Sequence, residues 1–243
     1  MKRTLTFARR CALEILRDPL TLFFGLVFPL LLLFLLSLIQ SHVPVPMFVP
    51  ETLAPGVAVF GLSFISLFAA LLIARDRESA LLHRLFCTPA RPEEFLLGYV
   101  LPLLPLALLQ SAAVYLCALP LGLPFSLKLL GALGCGAACS LLNIALGLLC
   151  GTLLSDRQVG GVCGALLTNL TAWLSGIWFD VTLLGRGFAA FARALPFYHA
   201  VEACRAALSG SAAVWGHLGV VLLYAAALMA IAIACFTRKM KRR

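Results

Sequence analysis

The sequence has 243 residues, of which 62% are hydrophobic and only 12% are charged, whereas an ordinary soluble domain is about half apolar and a quarter charged. This composition excludes a typical water-soluble protein, and because long apolar runs recur along the whole chain, we expect one membrane domain over residues 1–243. The formal net charge of +9 fits attraction to anionic lipid and does not indicate a nucleic-acid partner.

Residues 1–19 precede the first apolar run and show the pattern of an amphipathic helix. Apolar side chains recur at helical spacing from Leu5 to Leu16. The opposite side carries Thr6, Arg10, Glu14 and Arg17. Such a helix would lie in the membrane interface with its basic face in water, and the alternative is a plain positive leader that orients the first span. Asp18 should end the helix, because a residue before proline is disfavoured in the α conformation.

Six later segments are apolar enough to cross a membrane, which takes about 20 residues because the hydrocarbon core is roughly 30 Å thick. The predicted spans cover residues 20–39, 55–74, 95–119, 127–154, 159–178 and 217–236. The first is too long for the apolar core of a signal peptide and is not followed by a small-residue cleavage site. We therefore expect it to remain in the mature protein.

The distribution of basic residues predicts the orientation of these spans. Of the 19 Lys and Arg residues, four fall on the far side of the membrane from the amino terminus, namely Lys128, Arg186, Arg193 and Arg205. The others fall on the amino-terminal side, as the positive-inside rule describes for cytoplasmic segments. Both termini are therefore predicted to be cytoplasmic.

The stretch from 75 to 94 joins the second and third spans and combines alternating charge with a short amphipathic pattern. The charges that end the second span are Arg75, Asp76, Arg77 and Glu78. Apolar residues then recur at helical spacing around Arg84, at Leu81, Leu82, Leu85 and Phe86. Thr88-Pro89 stops this helix. Its apolar face either lies on the protein's own spans or docks into a cytoplasmic partner.

Small and polar residues concentrate in the fourth and fifth spans. Gly147 and Gly151 are four apart, a spacing that lets helix backbones approach closely, either within one subunit or at a dimer seam. Polar residues that could touch a substrate include Asn143, Thr168, Asn169 and Thr171. Hydrogen bonding between helices is the default interpretation for such residues.

The segment 179–215 is apolar but is interrupted by charged residues, glycine and proline, which fits short helices that dip into the outer leaflet. Glu202 and Arg205 are three residues apart there and can pair with each other.

The chain carries no sign of its own energy source. No charged residue falls in the middle of a predicted span, where ion-coupled carriers place their relay groups. There is also no G-x-x-x-x-G-K-[ST] loop to hold ATP phosphates. The nine cysteines form no C-x-x-C pair and lie mostly in apolar runs, so we interpret them as packing residues and predict no metal site.

Residues 75–89, RDRESALLHRLFCTP, resemble the charged-loop signature of type-2 ABC exporter permeases, which reads approximately R-E-R-E-x-G-T-L-x-R-L-x-x-T-P. Two departures are Asp76 for the commoner Glu, and Ala80-Leu81 for Gly-Thr. Residues 17–19 (RDP) and 91–98 (RPEEFLLG) also resemble the family's first span and its entry into the third.

The resemblance implies an all-α polytopic membrane protein with six transmembrane helices, an amino-terminal interfacial helix (1–19), a cytoplasmic coupling helix (75–94) and an extracellular re-entrant hairpin (179–215). Residues 75–78 together with Leu81, Leu82, Arg84, Leu85 and Phe86 would then couple to a separate ATPase subunit, present in two copies. Pro196, Glu202 and Arg205 would form an extracellular gate. The permease would be a homodimer in a bacterial plasma membrane, binding no cofactor itself, with ATP and Mg²⁺ held by the partner ATPase.

Two other function classes remain as alternatives. A lipid-modifying membrane enzyme would need a catalytic cluster, but the four histidines are scattered and only His199 has a nearby carboxylate, Glu202. A secondary carrier or channel is the weaker alternative, because charges are missing from the middle of the spans. The sequence therefore favours the permease of an ATP-driven exporter for an amphiphilic or hydrophobic substrate.

Overall fold

The computed structural model describes residues 2–79 and 92–241, which form helices and turns with no strand among them. The longer helices are α1 (Lys2–Arg17), α2 (Pro19–His42), α3 (Pro50–Glu78), α4 (Pro92–Ala118), α5 (Lys128–Leu153), α6 (156–174), α7 (Arg186–Ala194), α8 (Pro196–Ser209) and α9 (Val214–Lys241). Short 3-10 turns cover Pro46–Phe48, Leu119–Leu121 and Val181–Leu184. The all-α prediction is confirmed.

Within the described residues, five segments are long and apolar enough to cross a membrane. They are Pro19–His42, Pro50–Glu78, Glu94–Leu121, Lys128–Leu153 and Val214–Lys239. Helix α6 coincides with the predicted fifth span but does not meet the same criterion. It opens with Asp156, Arg157 and Gln158 and carries polar residues in its second half. The count of six spans therefore stays a prediction.

Helix α3 is the central helix of the bundle and packs against α2, α4, α5 and α8. Its closest contact is with α5, where an added Cβ at Gly147 would lie 2.3 Å from the Ser66 carbonyl oxygen. A Cβ at Gly151 would lie 2.4 Å from the carbonyl oxygen of Ala70. These two glycines therefore allow α3 and α5 to pack closely within one chain, which decides between the two interpretations of their spacing.

Two helices contain wide π-helical turns, at Phe23–Val27 in α2 and Gly160–Leu167 in α6. The first lies just before Pro29, whose missing N–H cannot complete the regular α-helical ladder. The second is rich in glycine, and an added Cβ at Gly160 would meet nothing within 4 Å. Such turns interrupt a helix at a fixed place, and they are frequent at functional sites.

Helix ends follow local sequence signals. Asp18 caps α2 by accepting a hydrogen bond from the Leu20 amide at 3.1 Å, and Pro19 occupies the first turn. Ser155 and Gln158 form a capping box at the start of α6. Gly210 ends α8 in the left-handed conformation with φ of 79°. The turn between α5 and α6 is therefore a defined structure that joins two helices directly.

Helix α1 packs against α4 through Phe7, whose ring meets the rings of Phe95 and Tyr99 edge-on. Cys11 and Ile15 are buried on the same side of α1, while Leu16 is exposed. Arg10 and Glu14, on the predicted basic face of α1, are partly exposed, and Arg10 also contacts Asp76, a buried carboxylate of α3. The placement of this face in water stays a prediction.

The described parts of the predicted coupling segment belong to two helices. Residues 75–78 form the last turn of α3, and α4 begins at Pro92. The predicted amphipathic helix around Leu85 lies outside the described residues. In the segment 179–215, α7 and α8 follow each other with Leu195 between them. Their re-entrant placement in a membrane stays a prediction.

Candidate functional site

A buried carboxylate organises the end of the bundle that holds α1, the end of α3 and the end of α9, hereafter the basic end. Asp76 is 2% exposed. Arg10 of α1 donates to both of its oxygens, Nη1 to Oδ2 at 2.5 Å and Nη2 to Oδ1 at 2.6 Å. The Tyr99 hydroxyl of α4 donates to Oδ2 at 2.8 Å. Such two-pronged pairs are the strongest and most directional of protein ion pairs.

The neighbouring carboxylates keep the Arg10 guanidinium in its charged form. Burial alone would lower the pKa of Arg10, but the hydrogen bond to Asp76 and the charge of that carboxylate raise it above its ordinary value. Glu14 also contacts Arg10, with Nη2 and Oε2 2.9 Å apart. Burial raises the pKa of the neighbouring Cys11 thiol to about 12, so this thiol is unreactive.

The next residue of α3, Arg77, binds the end of α5. Its guanidinium donates to the carbonyl oxygens of Gly151, Thr152 and Leu154, the first at 3.1 Å and the last at 2.6 Å. Lys239 of α9 donates to the same Thr152 oxygen at 2.6 Å. The last carbonyls of a helix lack partners within the helix and carry partial negative charge, so cations stabilise them.

Glu78 and Arg75 complete these contacts. The Glu78 Oε1 atom accepts a hydrogen bond from the Asp156 amide, at 2.9 Å. The half-exposed Arg75 lies 3.6 Å from a carboxylate oxygen of Asp156 and 3.9 Å from one of Asp18. The four described charged residues predicted to couple to an ATPase, residues 75–78, thus contact other elements of their own chain, while Arg84 lies outside the described residues. We call residues 75–78 with Arg10, Tyr99, Lys239 and the α5–α6 turn the charged node.

The predicted route residues do not form one polar patch. Thr168 and Thr171 are buried and donate to carbonyls of their own helix, at 3.0 and 2.9 Å. Asn169 is exposed and donates to Ala165. Asn143 of α5 is buried and donates to Cys139, while its Oδ1 atom has no partner. The Asn143 amide is thus the route candidate that leaves a buried polar atom unsatisfied.

The predicted gate residues lie at the other end of the bundle, hereafter the hairpin end. Pro196 starts α8 and is buried. The Arg205 Nη1 atom pairs with Glu202 Oε1 at 2.9 Å, which confirms the pairing predicted from their spacing. Arg205 also donates to the carbonyls of Thr52, at 3.3 Å, and Gly176, at 3.1 Å. It therefore links α8 to the start of α3 and to the turn after α6.

A cavity of about 730 Å³ opens beside this pair. Charged and polar side chains line it, including Glu51, Lys128, Glu202, Arg205 and His217. Sequence reasoning missed this cavity because its walls come from four separate segments.

Two histidines predicted to be scattered meet at the hairpin end. The Nδ1 atoms of His199 and His217 lie 2.8 Å apart, and the Nε2 atom of His199 lies 2.8 Å from the Arg193 carbonyl oxygen. A carbonyl only accepts, so His199 Nε2 donates to it, and in the neutral ring Nδ1 must accept from His217. The hydrogen bonds thus fix the tautomers of both rings.

Comparison with known families identifies the chain's class. The family model described as ABC-2 type transporter, for its membrane part, matches residues 2–209. The chain belongs to the ABC-2 type transporter family. A search of curated proteins gives no match.

Family membership and several apolar helices together make this chain an integral, multi-pass membrane protein. It is the transmembrane permease of an ABC transporter, a class that works with an ABC ATPase carried on a separate chain. The matched range includes the gate residues and all of the charged node except Lys239. The ABC-2 permease assignment from the charged-loop signature is therefore confirmed at the level of the family.

Proposed function

We propose that this chain is the permease subunit of an ATP-driven exporter that moves an amphiphilic or hydrophobic substrate out of a bacterial cell. Two copies form a homodimer, and each binds one ATPase subunit on the cytoplasmic side. The basic end faces the cytoplasm with both termini, as the positive-inside distribution predicts. The hairpin end faces outward and carries the gate. The chain binds no nucleotide, and ATP and Mg²⁺ belong to the partner.

The observation that carries this proposal is the charged node. It includes residues 75–78, the first part of the coupling segment, and the described chain stops one residue later, at Ser79. Arg10, Tyr99 and the α5–α6 turn bind to the same last turn of α3, and Lys239 of α9 shares the Thr152 carbonyl of α5 with Arg77. A force applied by an ATPase to the coupling segment would therefore reach α1, α4, α5 and α9 together.

The physical chemistry of the node suits transmission. A two-pronged ion pair has one favourable geometry, and distorting it is costly because the buried Asp76 carboxylate loses its partner in a poorly hydrated site. Contacts with this property move as a unit. In this mechanism the coupling helix supplies the movable contact with the ATPase, and the node passes that movement to the bundle.

The coupling helix itself is tested by a charge introduced on its predicted apolar face. Copurification of a separate ABC ATPase with the intact chain should be lost when Leu85 and Phe86 are both changed to Asp, because docking would bury these side chains. His83→Asp is the matched control for added negative charge. Retained ATPase binding in the double variant would contradict the docking proposal.

Transport by the reconstituted complex tests the function as a whole. Vesicles that contain permease and ATPase should move a fluorescent amphiphile only with hydrolysable ATP. Transport driven by an ion gradient alone would instead identify a secondary carrier. Chemical change of lipid by the isolated chain would identify a membrane enzyme.

A further inference from the structure

A groove between α1 and α4 has no role in the proposed mechanism. Its volume is about 770 Å³, and its lining is predominantly apolar. One wall is a stripe of α1 in which Leu5, Ala12 and Leu16 recur at helical spacing. Leu5 and Leu16 are 67% and 61% exposed, so this stripe is not covered by the described chain.

The opposite wall is a stripe of α4. Leu101, Pro105 and Leu109 are four residues apart and therefore share one face of the helix. Leu101 and Leu109 are separated by about 12 Å along the axis, at about 1.5 Å per residue. The segment Glu94–Leu121 is a candidate membrane span, so Leu109 lies near its middle. The groove thus extends from the basic end toward the hydrocarbon core.

An apolar groove at this depth needs an apolar occupant. Walls without partner atoms lose dispersion contacts, and a membrane offers acyl chains rather than water to supply them. A soluble protein could not reach α4 residues at the level of the hydrocarbon. The shape and depth of the groove therefore point to a lipid chain.

The headgroup chemistry is set by Arg9. Among the described residues, it is the charged side chain that lines the groove, lying on α1 between Leu5 and Ala12. Its side chain is exposed and makes no ion pair with any described residue, whereas its neighbour Arg10 holds Asp76 and Glu14. A planar guanidinium at the mouth of an apolar groove matches a phosphate with two parallel hydrogen bonds.

From this juxtaposition we infer that the groove binds an anionic phospholipid of the leaflet at the basic end, with an acyl chain between α1 and α4 and the phosphate against Arg9. This site goes beyond the transport function and depends only on the membrane embedding of the chain. The bound lipid fastens α1 to α4. Since α1 also supplies Arg10 to the charged node, a bound lipid that restricts the movement of α1 also restricts the movement of the node.

The test uses the full-length chain in mild detergent with added phosphatidylglycerol or phosphatidylcholine. Native mass spectrometry counts retained lipid, and thermal unfolding reports stabilisation. The wild-type chain should retain phosphatidylglycerol in preference to phosphatidylcholine. Arg9→Gln should lower phosphatidylglycerol retention about fivefold, the effect of one basic residue at an anionic lipid surface. Arg17→Gln is the matched control, because this exposed arginine of α1 lies outside the groove.

Plugging variants test the groove separately from the charge. Ala12→Trp should remove retention of both lipids by filling the groove from α1. Leu101→Trp should do the same from α4. If one variant misfolds, the other still tests whether the groove holds the lipid. Circular dichroism and size-exclusion chromatography establish folding. Inorganic phosphate alone should not stabilise the chain.

Three results would overturn the inference. Equal losses in Arg9→Gln and Arg17→Gln would mean that the overall charge of α1 attracts lipid. Undiminished retention in both folded plugging variants would place the lipid elsewhere. Stabilisation by inorganic phosphate equal to that by phosphatidylglycerol would identify an anion site without a role for the acyl chain.

Discussion

The two ends of the bundle use their charges in opposite ways. At the basic end, Asp76 is 2% exposed and receives three hydrogen bonds from two different helices. At the hairpin end, Glu202 and Arg205 pair within one helix beside a cavity of about 730 Å³. A buried carboxylate with several hydrogen bonds has one favourable geometry, whereas groups beside a polar cavity can exchange protein partners for water.

This difference assigns separate mechanical tasks to the two ends. The basic end is built to move as one body, because each of its contacts joins elements that are distant in sequence. At the hairpin end, Arg205 contacts Glu202 and the carbonyls of Thr52 and Gly176, and a polar cavity adjoins these contacts, so we expect this end to be the one that opens. This arrangement suits the exporter proposed above, in which force would enter at the basic end and substrate would leave at the hairpin end.

The largest expected effect comes from removing the charge at the centre of the node. Asp76→Asn keeps the shape but removes the charge of the buried carboxylate, and Arg10 keeps only Glu14 as a counter-charge. This change should cost about 3 kcal/mol of stability, the low end for breaking a buried pair, because Arg10 is partly exposed. Thermal unfolding in detergent measures the loss. Asp180→Asn, at an exposed carboxylate of the hairpin end, is the control and should change little. Similar losses in the two variants would erase the distinction between the ends.

The next effect concerns the packing that supports the node. Gly151→Ala places a Cβ 2.4 Å from the Ala70 carbonyl oxygen, which forces α3 and α5 apart and should cost about 1–3 kcal/mol. Gly134→Ala, on the same helix nearer the hairpin end, meets nothing within 4 Å. It should be neutral or stabilise by up to about 1 kcal/mol through helix propensity. Unfolding temperatures that change alike would show that α5 packs more loosely at Gly151 than described.

Two tyrosines provide a direct comparison of single hydrogen bonds. Tyr99→Phe removes an O–H donor to a buried carboxylate and should cost about 1.5–3 kcal/mol. Tyr224→Phe removes an exposed hydrogen bond to the Ala194 carbonyl, 2.9 Å long, and should cost about 0.5 kcal/mol. The difference in unfolding free energy between the two variants measures how strongly the Asp76 carboxylate is shielded from water. A Tyr224 variant as destabilised as the Tyr99 variant would contradict the view that the hairpin end is compliant.

Much of the fold could be predicted because hydrophobic run length and helix-end signals are local. The spans with long apolar runs, the break at Asp18 and the pairing of Glu202 with Arg205 all follow from spacing within a few residues. The family was recognisable from residues 75–89 for the same reason. The fifth predicted span does not meet the criterion for a membrane span in the structure, because glycine and polar residues weaken its apolar signal.

The node could not be predicted, because its partners are distant in sequence. Arg10 and Asp76 are 66 positions apart, and the backbone carbonyls bound by Arg77 carry no side-chain signal at all. On a helical wheel, Arg10 and Glu14 look like a solvated face. In the folded bundle, α3 packs beside α1, and this face of α1 covers the buried carboxylate of Asp76. Likewise, the sequence alone could not assign the Gly147 contact to packing within one chain or to a dimer seam. The positions of α3 and α5 in the fold are needed for that assignment.

The smallest expected change in stability lies at the hairpin end, where it bears most directly on function. Arg205→Gln removes the links to the Thr52 and Gly176 carbonyls and should cost about 1 kcal/mol, because the adjoining cavity lets water replace the lost donors. The control is Arg186→Gln, at an exposed arginine of the same end. Labelling of a Thr52→Cys reporter by a membrane-impermeant maleimide should become faster only with Arg205→Gln. Unchanged labelling together with a loss of several kcal/mol would mean that Arg205 fixes a rigid outer end, and the contrast between a stiff and a compliant end would then be wrong.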